Sequence, residues 1–180
     1  MPVHRRRLLA GLAGLLPTAA AFAADKSDPQ LDRSAAAALA HLVRTDPAAR
    51  QLNSKAYAVL VFPRIVKVGF LLGGAYGEGA MIQGGRTIGY YNSAAASYGL
   101  QAGAQTFGYA LFFMNPGALK YLDSSSGFEI GVGPSVVVVD KGMAKRMTSS
   151  TLTQDIYAMI FNQKGLMAGL GLEGSKITKI

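Results

Sequence analysis

Residues 56–115 run for sixty positions with glycine every few residues and almost no charge; only Arg64, Lys67, Glu78 and Arg86 are ionised at neutral pH. β-Branched, aromatic and small side chains fill the remainder. Helices tolerate neither that glycine density nor the lack of a polar face. Long, strongly bent strands do, because glycine permits tight curvature and close backbone approach. Gly84-Gly85 sits between two apolar runs, 70–83 and 86–92, and supplies the positive φ of a two-residue hairpin turn. The block therefore predicts arching strands in a closed or nearly closed sheet.

The flanks fit around that sheet. Asp28-Pro29 and Asp46-Pro47 each read as an N-cap followed by proline at the first helical position. After the first, Leu31, Ala35, Ala38, Leu39 and Leu42 form a narrow apolar stripe; the second opens a short helix over 48–54 carrying Leu52. Their expected role is cover for the sheet. The expected fold class is α+β: a mainly antiparallel, strongly curved β-sheet or barrel-like core, covered by short N-terminal helices. Half the chain is hydrophobic and 16% is charged, which fits one folded domain in 180 residues. The expected division is a helical segment over 24–55 and a β-rich core over 56–180.

Within the core, a strand over 56–62 is expected to stop at Pro63, with 64–67 turning the chain. Residues 97–114 alternate small and large at period two, with Gln101 and Gln105 on one face. Such amides serve either as backbone partners at bulges or as a polar patch in a cavity. A helical connector follows over 115–122, then a strand over 128–139 bent at Gly133-Pro134, and a basic solvated loop over 140–146. Asn162-Gln163-Lys164-Gly165 reads as a hairpin loop, and 175–180 as a last strand.

Residues 1–23 stand apart. Arg5-Arg6-Arg7, a short apolar run from Leu8 to Leu16 and Ala21-Phe22-Ala23 fit a signal peptide cleaved near Ala23 or Ala24. Export through a Sec or a twin-arginine route to the periplasm or cell envelope is expected. Without Arg5, Arg6 and Arg7, the 18 Lys and Arg residues become 15 against 10 acids, a net charge of +5 rather than +8. That bias suits acidic lipid or another polyanion.

Little in the sequence supports catalysis. There is no cysteine, and beyond the leader His41 is the one histidine, which leaves histidine triads and zinc sites without ligands. The carboxylates are scattered singly. Gly169-Leu170-Gly171-Leu172-Glu173-Gly174 satisfies GxGxxG, but it lies too close to residue 180 for the helix a dinucleotide site needs. A hydrolase on a barrel cavity would require two carboxylates, such as Glu78 and Glu129, inside one cleft. An outer-membrane barrel would require an alternating lipid face, which Val59 to Phe62 and Val136 to Val139 lack. Basic residues are not interleaved with aromatics, so nucleic acid is not an expected partner.

Four ordered segments resemble the SYLF-domain family. They are A-x-A-V-L-V-F-P-x-I-x-K-x-G-F-x-x-G-x-x-Y-G-x-G over 56–79, then Ser97-x-Gly99-x-Gln101-x-Gly103-x-Gln105 with Phe113-Met114-Asn115. Gly165-Leu166-x-Ala168-Gly169 and Gly174-Ser175-Lys176-Ile177-Thr178 complete the set. The resemblance implies a non-catalytic domain that binds membrane lipid. Eukaryotic relatives bind phosphoinositides and, in the yeast endocytic branch, actin filaments. Export would separate this chain from both, so anionic phospholipid at a membrane surface is the expected partner, with an envelope scaffold or protein-interaction role as the alternative. Arg64, Lys67, Lys141, Lys145 and Arg146 are the expected headgroup contacts, with Phe62 and Ile65 as shallow apolar anchors. No catalytic residue, metal or cofactor is expected. At 140–146 the chain reads DKGMAKR in place of the family's glycine-proline-glycine-arginine turn.

Overall fold

The computed structural model describes residues 27–124, 127–148, 152–165, 172 and 174–180, without the side chains of 70–72, 97–102, 141 and 146. The expected leader over 1–23 lies outside the described residues, as does most of the second arm, 166–173, of the expected hairpin. Two helices come first, α1 (Pro29–Thr45) and α2 (Pro47–Lys55). Asp28 caps α1 by accepting from the backbone N–H of Gln30 and Leu31 at 3.0 and 2.9 Å. Asp46 works in both directions. Its backbone N–H donates to the carbonyl of Leu42, closing α1, while its carboxylate accepts from Ala48 N and Ala49 N to open α2.

Two very long strands follow, β1 (Ala58–Gln83) and β2 (Arg86–Phe113), joined at Gly84-Gly85. Their φ values of +56° and +79° are those of the tight turn that the dipeptide predicts. The two strands pair antiparallel from Gln83↔Arg86 to Ala58↔Phe113. A straight strand of 28 residues would reach roughly 95 Å at ~3.4 Å per residue. A compact domain of this size is only about 40 Å across, so the ribbon has to curl. The glycines of β1 show where it does. A β-carbon on Gly77 would collide with the Arg64 carbonyl oxygen, and one on Gly79 would stand 2.7 Å from the Val61 carbonyl oxygen. The second half of β1 thus lies against its own first half.

The remaining elements are α3 (Pro116–Ser124), β3 (Phe128–Glu129), β4 (Val136–Val138), α4 (Lys141–Arg146), β5 (Ile156–Gly165) and β6 (Lys176–Lys179). β2 is the spine of the sheet. One edge carries β1 along its length; the other takes β6 near the turn, at Tyr91 to Ala94, and β5 farther on, at Gln105 to Phe113. β3 extends the sheet beyond β6, and β4 joins β5 in parallel. The fold is α+β, with a mainly antiparallel, strongly curled sheet and N-terminal helices.

Both faces of the sheet are packed. Leu60, Phe62, Tyr109, Leu111 and Phe113 point into an inner core that Leu119 and Leu122 of α3 help close. Val59, Val61, Ala110 and Phe112 alternate with them and meet Ala35, Leu42, Ala49 and Leu52 of α1 and α2 on the outer side. Double burial explains the unbroken apolar run at 59–62.

Four local expectations need correcting. Pro63 does not end a strand and 64–67 do not turn; β1 continues through a bulge. The stretch 128–139 is two short strands, separated where Gly131 and Gly133 take φ of +106° and +98°. Residues 141–146 are a helix rather than a loop, because Asp140 caps it by accepting from Met143 N. Finally, 162–165 stay within β5 and pair with β2 as far as Gly165.

Candidate lipid-contact surface

The site is built by two bulges that face each other across β2. On β1, Phe62 pairs with Tyr109 and Ile65 with Phe107, so Pro63 and Arg64 together oppose Gly108. Proline suits such a position because it has no N–H to give the ladder. On β5, Phe161 pairs with Gly108 and Lys164 with Thr106, so Asn162 and Gln163 oppose Phe107 alone. Asn162 takes φ +52°, a left-handed conformation that asparagine tolerates better than most residues. The ring of Phe161 lies over Gly108, where a β-carbon would overlap it.

Each bulge re-aims the chain beyond it. As a result Arg64 and Lys164, one hundred positions apart in sequence, line one cleft of about 450 Å³ together with Pro63, Thr106, Phe107 and Asn162. No acid lines it. Among the described residues the one ion pair is Lys179 with Asp123, so neither Arg64, Lys67 nor Lys164 is neutralised by a carboxylate. Val66 and Val68 follow Arg64 on β1 with 39% and 52% of their surfaces exposed. The surface therefore joins unpaired cations to exposed aliphatic groups, which suits contact with an anionic interface.

The other expected residues divide. Lys67 is half-buried and stands opposite Gln105, so it faces the inner side of the sheet, away from Lys164. Lys145 is exposed on α4, which packs on the outer core through Met143, Ala144 and Met147. It shares a face of the sheet with the Thr106–Lys164 pair. Lys141 and Arg146 belong to the same helix, but their side chains lie outside the described residues. Phe62 and Ile65 are not exposed anchors. They are 0% and 2% accessible and fill the inner core, because the two-residue bulge between them returns both to the same face. Val66 and Val68 take that exposed position instead. A loop over 162–165 puts Lys164 at a tip, away from any contact; the signal against that loop is Asn162, a residue suited to a bulge.

Residues 94–179 match the family model described as Ysc84, Las17-binding protein actin regulator. That segment is a Ysc84 (SYLF) domain. No curated protein matches the chain. The matched segment contains Thr106, Lys145 and Lys164, while Arg64 and Lys67 precede it.

Behind the surface, the SYLF domain buries polar groups on the inner face of β2. Gln105 Oε1 and the Tyr109 hydroxyl are sealed from solvent without a hydrogen-bond partner. Gln105 therefore does not make the complete set of backbone bonds expected for a buried amide. The Tyr109 ring stacks on Phe62 with centroids 4.6 Å apart. Burial raises its pKa; Ser93 is near enough to temper the rise but does not reach hydrogen-bonding geometry. Glu78 and Glu129 are both exposed, on strands separated by β2 and β6, and share no cleft. Among the described residues no cluster of three or more metal-ligating side chains occurs, and no helix is long and apolar enough to cross a membrane.

Proposed function

We propose that this SYLF domain is a binding module that docks on anionic phospholipid at a membrane surface, using the outer end of its sheet. One observation carries the reading. Two bulges on separate strands turn Arg64 and Lys164 into a single cleft, with no acid among its described lining, beside the exposed Val66 and Val68. Lys145 adds charge on that side, and Lys141 and Arg146 belong to the same short helix. Each cation held near an acidic leaflet contributes about 1 kcal/mol. Three to five of them give affinity that salt weakens, since the screening length shrinks from about 10 Å at 0.1 M to about 3 Å at 1 M ionic strength.

The basic leader over residues 1–23 supports export, and with it a periplasmic or envelope setting. The ligands there are phosphatidylglycerol-like or cardiolipin-like lipids. The family description names a protein partner, which favours a second reading in which the same surface meets an envelope protein. Sedimentation with vesicles separates the two. Binding to phosphatidylglycerol vesicles, with little to phosphatidylcholine vesicles, supports lipid docking; equal binding to both, or none, contradicts it.

A further inference from the structure

A second cleft, of about 1050 Å³, opens where the start of α1 crosses the β1–β2 turn. Arg33 of α1 and Arg86 and Lys179 of the sheet line it from three separate elements. Arg33 and Arg86 are exposed and pair with no carboxylate among the described residues, while Lys179 is shared with Asp123 at 3.0 Å. Among the described side chains of the lining the one acid is Asp32, and it is already engaged. Its Oδ1 accepts from Thr87 Oγ1 at 2.8 Å and from the Tyr90 hydroxyl at 2.9 Å. These bonds also pin α1 to β2, so the backbone positions that carry Arg33 and Arg86 are held on one frame. Ile88 and Ile180, each 46% exposed, add apolar surface to the same lining.

We propose that this cleft is a phosphate site: Arg33 and Arg86 grip the phosphate oxygens from opposite walls, and Lys179 supplies a third positive charge. Arginine suits the task because its planar fork bonds phosphate through two donors at once. The volume accommodates a group of headgroup size, and Ile88 and Ile180 can cover the first carbons of an attached chain. The cleft is distinct from the outer surface. Gly77 lies against Arg64, and Gln83, the register partner of Arg86, is six residues farther along β1, roughly 20 Å of strand. The proposal does not rest on membrane docking.

The test is calorimetric titration of the full chain with inorganic phosphate and with dihexanoylphosphatidic acid below its micelle concentration, repeated on an R33A/R86A variant. Both positions are exposed, so the variant is expected to fold, which circular dichroism checks. Saturable binding weakened at least about tenfold in R33A/R86A supports the site, since the variant removes both guanidinium forks and their charge-assisted bonds. Tighter binding of the short lipid than of phosphate identifies a lipid headgroup as the source; equal binding identifies free phosphate. No saturable binding of either probe, or binding unchanged in the variant, overturns the proposal. An R64A/K164A variant keeps phosphate affinity in this account, so failure here and failure of the vesicle experiment are separable.

Discussion

Gly79 lies so close to the ring of Phe62 that a β-carbon at 79 would stand 2.7 Å from Phe62 Cδ1, and 2.7 Å from the carbonyl oxygen of Val61. Phe62 is fully buried and the carbonyl belongs to the β1 backbone, so neither can withdraw without moving the strand. Gly79→Ala is therefore expected to destabilise by about 1–3 kcal/mol through overpacking. Gly74→Ala is the control. A β-carbon there meets only the Ala95 carbonyl at 3.6 Å, and this change is expected to be neutral or slightly stabilising. Urea unfolding of both variants checks the pair. Equal midpoints would mean that β1 does not fold back on itself.

Tyr109 gives a pH dependence with a definite sign. Burial raises its pKa in the folded state, whereas the unfolded tyrosine titrates at about 10. Its contribution is complete below pH ~10 and is lost above it, because the unfolded chain then releases a proton that the folded chain keeps. The alkaline slope from this group is about 1.4 kcal/mol per pH unit. Tyr109→Phe should flatten that limb. It should cost little at pH 7, since the hydroxyl it removes has no hydrogen-bond partner. Parallel alkaline limbs in denaturant titrations of parent and variant would contradict the assignment.

Asp46 closes one helix and opens the next, so losing its carboxylate affects one function only. Asp46→Ala keeps the backbone bond to Leu42 but loses acceptance from Ala48 N and Ala49 N. The expected cost is about 1 kcal/mol, a fall in Tm of about 2–4 °C for a chain of this length. Asp46→Asn should recover most of it. Thermal unfolding followed by circular dichroism measures both.

Much of this fold is written in local chemistry. Asp28-Pro29, Asp46-Pro47 and Gly84-Gly85 are motifs whose backbone consequences hold almost anywhere, and all three appear where they read. What escaped reading depends on partners distant in sequence. Pro63 resembles a strand breaker, yet the β1–β2 ladder runs past it because a bulge absorbs the missing N–H. Asn162 to Gly165 resembles a hairpin loop, yet β2 offers that segment an edge to pair with. The site suffered from the same two positions. A strand ended at Pro63 puts Phe62 and Ile65 beside an exposed turn, and a loop placed at 162–165 hides Lys164 from Arg64.

Docking through the paired bulges is tested by salt-titrated co-sedimentation of the full chain and an R64A/K164A variant with phosphatidylglycerol vesicles. Removing two unpaired cations is expected to cost about 2 kcal/mol, a roughly thirtyfold loss of affinity, and to reduce the dependence on salt. Neither side chain is buried, so thermal stability should be unchanged. A variant that binds these vesicles as tightly as the parent at every salt concentration would contradict the account.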